Sequence, residues 1–197
     1  MSDLLALSRA IEARDPHSAG HAARVGVMAE VVAERLGWDE ADVDVLRMCA
    51  ALHDVGKLRV PERILLKPGP LDADELAEMR RHPEEGARMV AKVRSLRLAV
   101  PGVLYHHERW DGSGYPVGVE GEAIPAEARV LAVVDSFDAM TSDRPYRRAM
   151  TEQLAVAELE RCAGSQFDPD VVRVFAEAWH DGSLADATQD MVRAATG

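Results

Sequence analysis

Between residues 106 and 118 the chain reads His106-His107-Glu108-Arg109-Trp110-Asp111-Gly112-Ser113-Gly114-Tyr115-Pro116-Val117-Gly118. From Asp111 onward this cannot be regular structure. Gly112, Gly114, Pro116 and Gly118 are turn formers, and their density predicts a structured loop. On either side the sequence has helical period. Upstream, Pro101 opens a short helix ending near Glu108. Downstream, Pro125 precedes a helix over about Ala126–Met140. Farther out, Leu4, Leu7, Ala10 and Ile11 make one apolar stripe. Asp15-Pro16 reads as an N-cap followed by Pro at the first helical position. That helix runs to about Leu36, where Gly37 stops it. Further helices are predicted over about Glu40–Asp54, Asp72–Arg81, Pro83–Leu98, Glu152–Ala163, Pro169–Trp179 and Leu184–Ala195. Pro61, Pro68 and Pro70 mark a loop. The β-rich pieces are too short for a sheet, so the expected fold class is all-α: one compact helical domain with an irregular loop.

Composition bounds the function. At 197 residues the chain is long enough for one hydrophobic core. Lys plus Arg number 23 against 34 Asp plus Glu, a formal charge of −11. Such an acidic surface argues against a DNA or RNA polymer as partner and against docking on an anionic membrane. An anionic small molecule stays open, because a few cations in one cleft reverse the local field. Aromatic residues are only 5% of the chain, so Leu, Val and Ala must build the core, which favours packed helices. Cys49 and Cys162 form no CxxC pair and read as small buried hydrophobes in a reducing compartment. No apolar run approaches the roughly 18 residues of a membrane span. Met1-Ser2-Asp3 lacks the basic region of a secretory signal. The expected location is cytoplasmic.

The seven histidines carry the chemistry. His53-Asp54 are adjacent at a predicted helix end, in Ala51-Leu52-His53-Asp54-Val55-Gly56-Lys57. His106-His107 are adjacent at another. His82 stands just before Pro83. His17 and His21 are four apart and share a helix face. Asp135 lies inside the apolar run Val130-Leu131-Ala132-Val133-Val134-Asp135, where a carboxylate is costly unless it has a partner such as a metal. Each taken singly has an ordinary reading as a surface, capping or hydrogen-bonded core residue. Together, neutral imidazoles and carboxylates suit first-row metals such as Fe, Mn or Zn. One Asp shared between two metals, with His on both sides, makes a sensible two-metal centre. No Cys joins in, which disfavours a structural zinc site.

These strings resemble the HD-GYP domain, a branch of the HD superfamily of metal-dependent phosphohydrolases. The resemblance rests on His53-Asp54 with Gly56-Lys57 and on the long run from His106 to Pro116. It is supported by Asp15-Pro16-His17-Ser18-Ala19-Gly20-His21, by His82-Pro83-Glu84-Glu85-Gly86, and by the stretch from Asp135 to Arg147. It covers about residues 4 to 180, and it divides the chain into a catalytic domain over 1–182 and a C-terminal helix or tail over 183–197.

The resemblance implies a bacterial signalling enzyme that hydrolyses cyclic di-GMP to pGpG, and onward to GMP in some cases. By its motifs, His21, His53, Asp54 and Asp135 hold one divalent metal. Asp54 bridges to a second, held by His82, His106 and His107, and iron or manganese is the family's usual choice. His53, Asp54 and Lys57 are the implied catalytic residues, acting through a metal-bridging hydroxide. Lys57, Arg144, Arg147 and Tyr115 are the implied substrate contacts. His17 occupies a slot where relatives often carry an aromatic or a Glu, and it is a candidate ligand for a third metal, against the ordinary reading of a first-turn surface His.

Glu108 and Asp111 read either as partners that orient His106 or His107, or as a helix-end charge and a turn cap. Trp110 reads as a wall residue, Arg80 and Arg81 as a solvated face, and His180 as a surface residue. Two alternatives stay open. One is a phosphohydrolase of another nucleotide, such as cyclic GMP-AMP. The other is a non-catalytic cyclic di-GMP-binding or interaction module. A diguanylate cyclase or other signalling protein is an expected partner type, and a homodimer is left open.

Overall fold

A computed structural model describes residues 13–14, 19–143 and 148–196 of the chain. Among these residues there are ten α-helices, three short 3₁₀ segments and no strand, with an isolated bridge between Ala163 and Phe167. The fold is all-α. The stripe at Leu4–Ile11 and the Asp15-Pro16 cap lie outside the described residues.

Helix α1 spans His21–Arg35 and buries Val25, Met28, Ala29, Val32 and Ala33. That is the i, i+3, i+4, i+7, i+8 spacing of a single helical face. Helix α2, Glu40–Leu52, starts where the Asp39 side chain accepts from the backbone N–H of Asp42, and it buries Val43, Leu46 and Cys49. It stops at Leu52 rather than at the expected Asp54. The reason is local: Nδ1 of His53 donates to the carbonyl of Ala50 at 2.8 Å. A continuing α-helix would give that carbonyl to the N–H of Asp54. The chain instead tightens into a 3₁₀ segment over Val55–Arg59.

Helix α3, Glu62–Leu65, sits in what the prolines mark as loop. Helix α4, Ala73–Met79, begins with a reciprocal capping box between Asp72 and Glu75. Helix α5, His82–Val90, has Pro83 in its first turn. The expected helix through Leu98 breaks after Val90 into a 3₁₀ segment, Arg94–Ala99. Beyond Val90 the next residues on its buried face, Val93 and Arg94, are exposed, so no packing holds the helix. Helix α6 follows at Val100–Tyr105.

Helix α7, Ala126–Thr141, is the central one. Val130, Leu131, Val133 and Val134 are fully shielded from solvent, and helices α1, α2 and α6 pack around it. Burying each such side chain is worth about 1.5–3 kcal/mol. Helices α8 (Glu152–Arg161) and α9 (Pro169–His180) cover its remaining face. Helix α10, Ser183–Thr196, packs on α1. An anchor at its start is Arg35, whose guanidinium donates to Asp181 at 2.7 Å and to Ser183 Oγ at 2.6 Å. No helix of the described residues is long and apolar enough to cross a membrane.

Candidate metal centre

Five parts of the fold deliver histidines and aspartates to one place. His21 opens α1, His53 and Asp54 follow α2, His82 opens α5, His106 and His107 follow α6, and Asp135 comes from α7. They form two nests. In the first, His21 Nε2 lies 3.3 Å from His53 Nε2 and 3.3 Å from Asp135 Oδ1. In the second, His82 Nε2 lies 3.3 Å from His106 Nε2, with His107 beside both. Asp54 sits between the nests: Oδ2 is 3.4 Å from His53 Nε2, and Oδ1 is 3.4 Å from His82 Nε2.

The hydrogen bonds at the far side of each ring determine what the near side offers. Nδ1 of His53, His82 and His106 donates to the carbonyls of Ala50, Met79 and Val103, at 2.8, 2.9 and 2.8 Å. A carbonyl only accepts, so Nδ1 carries the proton and Nε2 keeps its lone pair. His82 and His106 therefore turn two lone pairs toward each other at 3.3 Å, which no hydrogen bond between them can satisfy. A cation between such donors satisfies both. The set is nitrogen and carboxylate oxygen with no thiolate, which suits Fe, Mn or Zn. The residues fit a pair of divalent ions.

Electrostatics agree. Burial pushes His82 down to about 3 and His107 to about 4, and it also lowers His106, so all three are neutral imidazoles at neutral pH. For Asp54, burial opposes the charge, but Lys57, His53 and His82 outweigh it and hold the carboxyl well below the usual range. His21 is the exception. Burial disfavours its charge, yet hydrogen bonds to Asp135 and Asp138 raise it to about 10. Its extra proton stands where a cation would sit, so loading a metal must release it.

Around the nests, Lys57 Nζ donates to Asp54 Oδ2 at 2.6 Å. A cavity of about 220 Å³ opens beside His107 and Asp135, walled by Tyr115, Arg80, Ser136 and Gln166. Tyr115 stacks on His107 at 4.9 Å, and the Arg80 guanidinium lies 5.1 Å from the Tyr115 ring centre. Arg80 is exposed, as its reading as a solvated side chain expects, and it also borders the cavity. Arg81 pairs with Glu78 on the surface, and His180 is exposed against Trp179.

Glu108 is buried and accepts from the backbone N–H groups of Val117 and Gly118, at 2.7 and 3.0 Å. It shapes the loop rather than orienting His106, whose Nδ1 partner is Val103. Gly114 lets that loop close down: an added Cβ would lie 2.3 Å from the Arg109 nitrogen. Asp111 caps the turn at Ser113 and pairs with Arg109. Trp110 lies against the Arg129 guanidinium. His17, Arg144 and Arg147 lie outside the described residues.

Sequence reasoning assigned no role to Asp138 or Arg24. Asp138 Oδ2 accepts from His21 Nδ1 at 2.7 Å, and Arg24 grips the same carboxylate at 2.6 and 3.0 Å. A signal was present: Asp138 follows Asp135 by three residues, and Arg24 follows His21 by three, so each shares a helix face with a ligand candidate.

A family model described as HD domain matches residues 6–171. The chain is 46% identical over 168 residues to the cyclic di-GMP phosphodiesterase response regulator RpfG of Xanthomonas campestris, covering 84% of this chain and 44% of that protein. It is 38% identical over 177 residues to the 3'3'-cGAMP-specific phosphodiesterase 2 of Vibrio cholerae, covering 89% and 34%. The chain thus spans less than half the length of either relative. Among solved structures, V-cGAP3 of Vibrio cholerae, titled a cyclic GMP-AMP specific phosphodiesterase, superposes with a TM-score of 0.75 at 18% identity. That match covers 96% of this chain and 52% of the other.

Proposed function

Because the chain belongs to the HD-domain family, in its HD-GYP branch, we propose that it is a metal-dependent phosphodiesterase that hydrolyses cyclic di-GMP. One observation carries this reading: the two oxygens of Asp54 face separate histidine nests, each with Nε2 atoms free of protons or able to become so. In this reading His21, His53, Asp54 and Asp135 hold one divalent ion, and Asp54, His82, His106 and His107 hold the other. The donor set suits iron, manganese or zinc, and the family resemblance favours iron or manganese among them. When bound, the ions supply Lewis-acid charge for the phosphoryl oxygens and acidify water for attack.

The protein's own groups do the rest. Lys57, beside Asp54, is placed to meet a non-bridging phosphate oxygen and stabilise the charge that develops there. Water oxygen bonds to phosphorus, the P–O3′ bond breaks, and the 3′ oxygen takes a proton, leaving linear pGpG. Tyr115 walls the cavity where the nucleotide enters. Arg144 and Arg147 are assigned to the second phosphate or a guanine edge on their motif positions alone, and His17, whose slot departs from the motif, stays a candidate for a third ion against its reading as a surface histidine. We assign residues 1–182 to the catalytic unit and 183–197 to a C-terminal helix. We place the reaction in the cytoplasm, since Cys49 and Cys162 are both free. A signalling protein such as a diguanylate cyclase is the partner type this reading favours, and a homodimer is compatible with it.

The test is anaerobic purification, metal quantification and cyclic di-GMP turnover with added Fe(II) or Mn(II). The expected result is two metals per chain, or three if His17 takes part, and pGpG as product. Alanine at His53 or Asp54 abolishes turnover in a protein that keeps its helical signal. Undiminished turnover in either variant overturns the assignment. The 38% identical relative named for 3'3'-cGAMP favours that molecule as a second substrate. Parallel rates on the two cyclic dinucleotides decide between them.

A further inference from the structure

We propose that Asp138, clamped by Arg24, is a positioning residue that sets the metal affinity of the His21 half of the centre alone. The inference rests on His21 being a ligand, as proposed above. Its basis is an asymmetry among the histidines. His53, His82 and His106 each give Nδ1–H to a neutral backbone carbonyl three residues earlier in the chain. His21 gives Nδ1–H to a carboxylate from another helix, Asp138, at 2.7 Å.

A carboxylate acceptor pulls the Nδ1 proton harder than a carbonyl and makes Nε2 a stronger electron donor. It also pins the plane of the ring. Asp138 is only 4% exposed, and it is held from the other side: Arg24 Nε donates to Oδ1 at 2.6 Å and Nη2 to Oδ2 at 3.0 Å. A two-point guanidinium grip fixes the carboxylate's orientation as well as its charge. The four residues form a ladder. His21 and Arg24 lie one turn apart on α1, and Asp135 and Asp138 lie one turn apart on α7. Asp135 faces Nε2 of His21 at 3.3 Å while Asp138 faces its Nδ1. The imidazole is therefore held at both nitrogens by α7, and the two halves of the centre differ in electron donation.

Mn(II) binding tests this, read from the free-ion electron paramagnetic resonance signal, so that no turnover is needed. Two backgrounds isolate the halves: His82→Ala leaves the His21 half, and His21→Ala leaves the other. In the His82→Ala background, Asp138→Ala weakens Mn(II) binding by about 10- to 100-fold. Asp138→Asn weakens it less, because its amide oxygen still accepts from Nδ1. In the His21→Ala background neither change matters. Thermal melts confirm folding, and Asp138→Asn carries the test if the alanine variant does not fold. Unchanged affinity in the His82→Ala background, or equal weakening in both, overturns the proposal. Wild-type protein that binds no Mn(II) overturns the metal reading itself, and this inference with it.

Discussion

A Cβ added to Gly56 would lie 1.8 Å from the carbonyl oxygen of His82 and 2.6 Å from the nitrogen of Gly86. The 55–59 segment and α5 touch backbone to backbone, which is why the residue two past Asp54 has no side chain. This approach brings Asp54 within reach of His82. Gly56→Ala must push the two segments apart. Overpacking of this kind costs about 1–3 kcal/mol, occasionally more. The expected result is a lower urea midpoint together with loss of one metal per chain. A Gly56→Ala protein with wild-type metal content would show that the contact does not set the site.

Glu108 accepts two backbone N–H groups of the irregular loop from a position almost sealed from water. Glu108→Ala leaves those donors without their partner, at a cost of about 1–3 kcal/mol. Hydrogen exchange at Val117 and Gly118 should accelerate while the amides of α7 stay protected. Equal acceleration in both places would mean that the whole domain, not the loop, depends on Glu108.

Three histidines give the metal-free protein a stability maximum near neutral pH. His82 and His107 fall from 6.5 to about 3 and about 4 on folding. Below pH 6.5 the unfolded chain takes up protons that these buried rings refuse, so stability drops as pH falls toward 4. His21 rises from 6.5 to about 10. Its contribution is complete below pH 6.5 and is lost as pH climbs toward 10. Urea midpoints measured at about pH 4.5, 6.5 and 9.5 should therefore peak at the middle value. A midpoint climbing steadily from acid to alkali would contradict the His21 arrangement.

Arg80 lies on the Tyr115 face at the cavity wall, where an incoming phosphate would pass. Arg80→Ala should raise KM for cyclic di-GMP with kcat nearly constant. One charged hydrogen bond of about 1.5 kcal/mol corresponds to about tenfold in KM. A fall in kcat at constant KM would place Arg80 in the chemical step instead.

Some of these features could be read from the chain and others could not. The helix starts at Asp39, Asp72, Thr151 and Asp168 are local, since a side chain caps the turn that follows it. The buried stripe of α1 follows from 3.6-residue spacing. The end of α2 at Leu52 escaped this reading, because a histidine side chain took the carbonyl that the next turn needed. The break at Val90 escaped it too, because it depends on which face meets the core.

Residue types and helical period, properties that local spacing encodes, were enough to point to an all-α fold. The set His21, His53, Asp54, His82, His106, His107 and Asp135 came from the resemblance of the chain's motifs to the HD-GYP domain. The tertiary structure alone decided which nitrogen of each ring faces the centre, that Asp138 and Arg24 stand behind His21, and that Arg80 meets Tyr115. Asp138 is 117 residues from His21, and Arg80 lies on a different element from Tyr115. Three-residue spacing puts Asp138 and Arg24 on the same helix faces as Asp135 and His21, but that they meet depends on how helices cross and which rotamers the packing permits, which no stretch of chain records.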